Sequence, residues 1–449
     1  MSQASLSVCM IVRNEARMLP GCLNSLTGVA DQIVIIDTGS EDDTAKIARS
    51  FGAQVYDFPW GDDFAAARNE SICHASGDWI LWIDADERLL PSSIEFLKRS
   101  LVPMTRPTIY QIWIRNLQKD GKSYTLSMSH RLFSRHPGIK FSGRIHEQVH
   151  PSLKAVNGLE KPSEIMLEHH GYALDEDVLN TKLMRNQSLL EAMVNEQPTS
   201  SYAHYTLGQN YALLGRHERA LDAYRRALEI GEFRGSSAST LLNAAAEACW
   251  QLSRLEEAET YAQESLAITP RQSSGNFIMY RISRSRENVK GQIEFLSNIL
   301  SLSSKGSTGI PSDLPKDVMV PREHLFFSLG QLYLISGEFS EAAKMLRECL
   351  AVEPKSQEAR ELLALALAKQ TQWEELLEVL LEIPQPYPDH LRELKGMALM
   401  KKQRYEEAIT HYEAWLADMP ENEQLRRRLA GLYGKLGDRE TAERLLRGE

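Results

Sequence analysis

Asp84, Asp86 and Glu87 follow directly on an apolar run in the stretch GDWILWIDADE, residues 77–87. The run WILWI (79–83) has β-branched and aromatic members and reads as a strand buried on both faces. Three acids within four residues repel one another unless water screens them or a cation stands between them. In a strand, residues i and i+2 point to the same side, so Asp84 and Asp86 can address one ligand. Hard carboxylate oxygens suit Mg²⁺ or Mn²⁺, which keep waters and share a diphosphate with the protein. The competing reading is a solvated strand end without an ion.

Short apolar strands alternate with helical patterns through the first 150 residues. The strands are LSVCMIV, QIVIID, AQVYDF and DWILWID; the helices between them are MLPGCLNSL, DDTAKIARSFG and FAAARNESICHA. This order predicts a parallel sheet covered by helices, with ligands bound beyond the carboxyl ends of the strands. Asp37, which ends QIVIID, belongs on the same rim as Asp84 and Asp86. Arg68, in AAARNE, reads either as a phosphate partner or as half of a surface salt bridge.

From about residue 200 the pattern is helical and repeats. GRHERA, SRLEEA, GEFSEA, TQWEEL, QRYEEA and GDRETA align on their last residues, Ala220, Ala258, Ala342, Leu376, Ala408 and Ala442. The last three intervals are 34, 32 and 34 residues, and Pro270, Pro354, Pro388 and Pro420 each stand twelve residues after an anchor. A small residue lets two helices approach, and a proline stops the second one. This period and proline position resemble tetratricopeptide repeats. The interval from 258 to 342 predicts a diverged repeat at 276–302, then a Ser-, Gly- and Pro-rich loop at 303–321. Stacked repeats leave a concave face suited to polypeptide ligands.

The bulk composition narrows the classes. A chain of 449 residues, 43% hydrophobic, allows two or three domains with real cores. With 51 basic against 61 acidic residues, no basic excess is available to neutralise phosphates, which argues against nucleic-acid binding. Cysteines at 9, 22, 73, 249 and 349 are scattered and include no C-x-x-C pair. Reduced thiols are expected, with Cys9 and Cys73 packed as small buried hydrophobes. Trp79 and Trp82 read as core or cleft wall, and the arginines at 426–428 as a solvated helical face. The N-terminus has no basic segment before its apolar residues, and no run approaches 18 apolar residues. A cytoplasmic protein without a leader or a membrane span is therefore expected.

Residues 1–175 resemble glycosyltransferase family 2, which has the GT-A fold. SVCMIVRNEARMLPGCLNSL, IVIIDTGSEDDT, DDFAAARNE and WILWIDADE carry the resemblance, in that order. It implies sugar transfer from a nucleotide-sugar donor, expected to be a UDP-sugar, with inversion and a divalent metal at a D-x-D motif. Asp86 would bind Mn²⁺ or Mg²⁺, while Asp84 contacts the donor's ribose or reaches the metal through water. Asp37 matches the acid that pairs with the nucleotide; DTGSEDDT is also turn and N-cap material, so a capping role stays open. Val12 and Glu15 are further candidates for the donor pocket.

FSGRIHEQV (141–149), EHHGY (168–172) and KLMRN (182–186) resemble family members that carry tetratricopeptide repeats, including those that modify peptides such as glycocins. In that likeness His169 is the third metal ligand; its other reading is a neutral histidine hydrogen-bonded in an interdomain hinge. Glu147 is the expected general base for an inverting attack, or else a residue holding His146 or Arg144. A thiol acceptor would lessen the need for a base.

The expectation is thus an α/β GT-A nucleotide-sugar-binding domain at 1–175, a connecting helix at 176–200 and an all-α tetratricopeptide-repeat solenoid at 201–449, irregular near 303–321. Its expected activity is metal-dependent transfer of a sugar to a peptide or protein side chain held partly by the repeats. A cell-surface or lipid-linked glycan acceptor is the second reading, and a non-catalytic repeat scaffold the third. A homodimer is compatible with the sequence.

Overall fold

The structure, a computed structural model, describes residues 4–117, 124–170, 176–302 and 314–448. The chain divides into two compact units, Met1–Ile282 with Ser301–Val320, and Ser283–Leu300 with Pro321–Glu449.

The first unit is built on nine strands: β1 (Leu6–Val12), β2 (Gln32–Asp37), β3 (Gln54–Asp57), β4 (Trp79–Trp82), β5 (Glu87–Leu89), β6 (Thr108–Leu117), β7 (Tyr124–Ser134), β8 (Leu159–His169) and β9 (Lys316–Met319). They form one sheet in the order β3-β2-β1-β4-β7-β6-β8-β5, with β9 added to β7. The expected parallel sheet holds for β1 to β4. Beyond them β7 runs antiparallel to both β4 and β6, and β5 runs antiparallel to β8. The sheet is therefore mixed. Parallel neighbours need long crossovers, whereas successive strands such as β6 and β7 pair antiparallel through a short connection.

Helices α1 (Leu19–Ser25), α2 (Thr44–Ser50), α3 (Phe64–His74), α4 (Ile94–Ser100) and α5 (His150–Ala155) accompany the strands. Alternation along β4 divides its apolar side chains between two cores. Trp79 and Leu81, with Ile83 just beyond the strand, join Val8 and Met10 on one side. Ile80 and Trp82 join Cys9, Val34, Phe133 and Phe141 on the other. The double burial expected of this strand is thus realised.

Gly77 brings the chain into β4 against the start of β1, and its N–H donates to Ser7 Oγ at 2.8 Å. A Cβ there would stand 2.6 Å from the Ser7 backbone nitrogen, which cannot swing away as a side chain could. Gly77→Ala is expected to destabilise the first unit by about 1–3 kcal/mol. An unchanged urea-unfolding midpoint would show that this backbone contact yields freely.

A long helix, α6 (Glu176–Glu196), leads into helix pairs α7 (Ser201–Leu213) with α8 (His217–Ile230) and α9 (Ser236–Gln251) with α10 (Leu255–Ile268). Next come α11 (Ser273–Ser285) and α12 (Val289–Leu302), where the diverged repeat is expected. The second unit continues with α13 (Arg322–Ser336), α14 (Phe339–Val352), α15 (Gln357–Lys369), α16 (Trp373–Leu381), α17 (Asp389–Lys401), α18 (Tyr405–Asp418), α19 (Glu423–Lys435) and α20 (Arg439–Arg447). Ala220, Ala258, Ala342, Leu376 and Ala408 are all fully buried, as close helix approach requires, and Ala442 in the last helix is half-buried.

Two expectations are corrected. Part of the loop expected at 303–321 lies outside the described residues, but its end is not a loop. It forms β9, antiparallel to β7 with Thr125 opposite Val318. Asp317 in this strand is buried and accepts from the N–H groups of Ser273 and Ser274 at 2.7 and 2.6 Å. These are unpaired donors at the start of α11, so the carboxylate docks the strand by the same means as a helix cap. The other correction is Cys73, which is exposed, whereas Cys9 is buried and burial pushes its thiol up to about 12. No described helix is long and apolar enough to cross a membrane.

Candidate active site

A cleft of about 970 Å³ in the first unit opens at the carboxyl ends of β1 and β4, the edge to which the strand order points. Val12, Glu15, Arg68, Asp84, Asp86, Glu147 and His169 all line it. Asp37 does not: its Oδ1 accepts from the N–H groups of Gly39 and Ser40 at 3.0 and 2.7 Å. Asp37 therefore tightens the turn after β2 through Oδ1.

The acids after β4 do not continue the strand. Glu87 N–H donates to the Asp84 carbonyl at 3.0 Å, and Asp84 N–H donates to Glu87 Oε2 at 2.9 Å. This turn removes the two-residue alternation expected to aim Asp84 and Asp86 at one ligand. Asp84 instead faces arginines, and Asp86 faces a histidine.

Arg68 Nη2 donates to Asp84 Oδ1 at 2.7 Å, and its Nε donates to Glu147 Oε1. Arg131, on β7, donates to Asp84 Oδ2 at 3.2 Å and to Glu87 Oε1 at 2.7 Å. Both guanidinium groups lie over the Trp82 ring, at 4.0 and 3.5 Å from its centroid, so the indole face supports two cations. Burial alone would push the Asp84 carboxyl up, but Arg68 and Arg131 together hold it well below the usual carboxylate range. For Glu87 burial wins over Arg131, and its carboxyl is raised. The salt bridge of Arg68 is thus interior to the cleft and not on the surface. Its Nη1 is buried and has no hydrogen-bond partner among the described residues.

The Arg68 side chain is 7% exposed and that of Glu147 8%. Removing one partner of a buried pair leaves an uncompensated charge, at a cost of about 3–5 kcal/mol. Arg68→Met is expected to fall in that range by chemical denaturation. A change within experimental scatter would show that the pair does not hold the segment bearing Glu147.

Sheet pairing sets the position of His169. It stands opposite Glu87 across β8 and β5, and opposite Asn116 across β8 and β6. His169 Nδ1 is 3.0 Å from Asn116 Oδ1, to which it donates, leaving Nε2 3.3 Å from Asp86 Oδ2. Two acceptor atoms facing each other at that distance require a proton or a cation between them. Burial disfavours the protonated ring, but the hydrogen bond and charge of Asp86, with Glu87 and Asp84 behind it, raise its pKa overall. An imidazole nitrogen and a hard oxygen oriented in this way fit a divalent cation. Among the described residues, Asp84, Asp86 and His169 do not bring three ligand atoms within 4.8 Å of one another. Gly171 and Tyr172 of the EHHGY motif lie outside the described residues.

FSGRIHEQV forms a loop closed by the Ser142–Gln148 bridge, whose two hydrogen bonds measure 3.0 and 2.9 Å. Gly143 (φ 99°) and His146 (φ 50°) both have positive φ, uncommon for a histidine, and such geometry is held by its surroundings. Phe64 N–H donates to the Arg144 carbonyl at 2.8 Å, and Asn69 exchanges two hydrogen bonds with the Phe141 backbone at 3.0 and 2.8 Å. Arg144 faces Glu196 at 3.6 Å, so the cation bound by Glu147 is Arg68 and not Arg144. His146 lines the cleft, and desolvation lowers its pKa.

On the donor side, Glu15 pairs with Lys182 of α6 at 3.1 Å, and burial raises its carboxyl against the opposing effect of that lysine. Lys182 and Arg185 of KLMRN also line the cleft, and so do Arg131 and Lys316, to which no sequence motif pointed. Six cationic side chains face five anionic ones there, in a chain whose net charge is −10. The cleft is locally suited to an anion. Its wall also includes Tyr202 and Tyr205 of α7 and Thr240 of α9.

Residues 7–146 match the sequence model of Glycosyl transferase family 2. Residues 199–271, 333–398 and 399–448 match tetratricopeptide-repeat models. A TPR repeat-containing protein of Synechococcus elongatus is 35% identical over 213 residues, covering 46% of this chain and 52% of that protein. The SPbeta prophage-derived glycosyltransferase SunS of Bacillus subtilis is 27% identical over 232 residues, covering 49% and 52%. An uncharacterized glycosyltransferase of Rickettsia felis is 33% identical over 156 residues, covering 33% and 54%. The chain spans about half the length of the curated relatives it matches. On these matches the chain carries a glycosyl transferase family 2 domain, followed by tetratricopeptide repeats.

Proposed function

We propose that the chain is a metal-dependent, inverting glycosyltransferase that moves a sugar from a UDP-sugar to a side chain of a peptide or protein. The observation that carries this reading is the cleft at the end of β4, where acids, a histidine and an excess of cations converge inside a domain of this family. Asp86 and His169 would hold Mn²⁺ or Mg²⁺, and the bound ion supplies neutralisation of the departing diphosphate. Arg68 offers Nη1 to a phosphate oxygen while its other nitrogens keep Asp84 and Glu147 in place. Glu147 takes the acceptor's proton as the nucleophile attacks the anomeric carbon from the face opposite the diphosphate. The named relative SunS is a glycosyltransferase, and helical repeats are surfaces for polypeptide ligands, which together favour a peptide or protein acceptor.

The test is a thermal-shift screen of UDP- and GDP-sugars with Mn²⁺, followed by nucleotide release with candidate acceptors. A UDP-sugar is expected to raise Tm most. No shift with any nucleotide-sugar would sink the reading. The pH dependence adds a second check. A protonated His169 cannot bind a cation, and its pKa is raised above 6.5. Mn²⁺ affinity is therefore expected to fall by about tenfold per pH unit as pH drops below that raised value, and to be retained above it. His169→Asn should flatten the profile; an unaltered profile in that variant would remove His169 from the metal site.

A further inference from the structure

Beyond the sugar-transfer reading, we propose that His130, His150 and Glu160 form a second divalent-metal site, suited to Zn²⁺ and separate from Asp86 and His169. His130 is on β7 and Glu160 on β8, with β6 between them, and His150 is the first residue of α5. His130 Nε2 lies 2.7 Å from Glu160 Oε1, and His150 Nε2 lies 3.1 Å from Glu160 Oε2. The two imidazoles are stacked, 4.7 Å apart and 12° from parallel, so both Nε2 atoms address the same carboxylate. Among the described residues, this is the one group of three His, Cys, Asp or Glu whose ligand atoms all lie within 4.8 Å of one another.

Two imidazoles and one carboxylate are a donor set that Zn²⁺ takes, with a fourth position left open. Tetrahedral ligands at about 2.0–2.1 Å from zinc stand about 3.4 Å apart, so closure needs the two rings to turn out of their stacked arrangement until both Nε2 atoms converge on one point. The supporting structure is already in place. Gln111 of β6 donates to Glu160 Oε1, and the pairing of β6 slips on both sides of Gln111, against β7 and against β8. Such irregularities re-aim side chains locally. Trp82 Nε1 donates to the His130 carbonyl at 2.7 Å, which fixes that strand position.

His130 and His150 line the cleft. His150 directly follows the loop that carries His146 and Glu147. A metal bound here would staple α5 to the sheet and hold that loop from its far end.

The experiment uses the full chain, stripped with EDTA and titrated with Co²⁺ as an optical probe and with Zn²⁺ by calorimetry. A tetrahedral Co²⁺ spectrum in the wild type is expected, displaced by one equivalent of Zn²⁺ and retained in the Asp86→Asn/His169→Asn double variant. His130→Gln and His150→Gln, checked separately for wild-type circular dichroism, should each weaken Zn²⁺ binding by at least about 10²-fold. The wild-type spectrum needs no variant to fold. The proposal is overturned if the wild type shows no tetrahedral band, or if that band is lost with Asp86 and His169 and kept without His130 or His150. In that case the three residues are a hydrogen-bonded brace.

Discussion

Asp86→Asn is expected to lower sugar transfer by about 10²–10³-fold while leaving the fold intact. The substitution removes the formal charge from one of the two atoms that face each other across 3.3 Å and changes the side-chain volume little. Asp86 stands in a turn at the cleft and not within β4, so the apolar packing of Trp79 to Ile83 does not depend on it. Its carbonyl, which accepts from His170 N–H at 2.9 Å, is unaffected by the change. The measurement is transfer rate against Mn²⁺ concentration, with unfolding followed in parallel. Turnover near that of the wild type with EDTA present would remove the metal assignment.

The second large effect is expected at Glu147. If it is the base, Glu147→Gln lowers transfer by about 10²–10⁴-fold and leaves donor affinity nearly unchanged. A glutamine still accepts from Arg68, so the contact that orients this guanidinium toward Asp84 survives in part. The contact with Arg68 engages Oε1 and not Oε2. The discriminating readout is the pH profile of kcat/KM. Loss of its acidic limb in the Gln variant supports proton transfer. Equal losses in donor affinity and turnover, with the profile unchanged, assign the residue to positioning the loop. With a thiol acceptor the same substitution should cost less, because a few per cent of thiol is already ionised near neutral pH.

Much of the site was legible because its signals are local. A strand that is apolar at every position must be covered on both faces, and WILWI is. An alternating strand and helix order sends the carboxyl ends of the strands to one rim; of the three acids it assigns there, Asp84 and Asp86 line the cleft and Asp37 does not. Small residues spaced for helix approach, with prolines twelve residues on, sufficed for the repeats. Asp37 illustrates the limit: its sequence context was compatible with two readings, and only the tertiary structure shows its Oδ1 holding the turn to Gly39 and Ser40.

What the sequence alone determined is therefore the first four strands with the helices between them, the repeat helices, and the end of the sheet at which Asp84 and Asp86 gather, since periodicity and capping act over a few residues. The tertiary structure alone decided the partners of those acids. Arg131 reaches Asp84 only because β7 runs antiparallel beside β4, and His169 reaches Asp86 only because β8 lies between β5 and β6. Lys316 comes from the far side of the first repeats, delivered by a strand whose pairing with β7 links positions almost two hundred residues apart. Such pairings are fixed by register and burial across the whole sheet, which no short window of sequence contains.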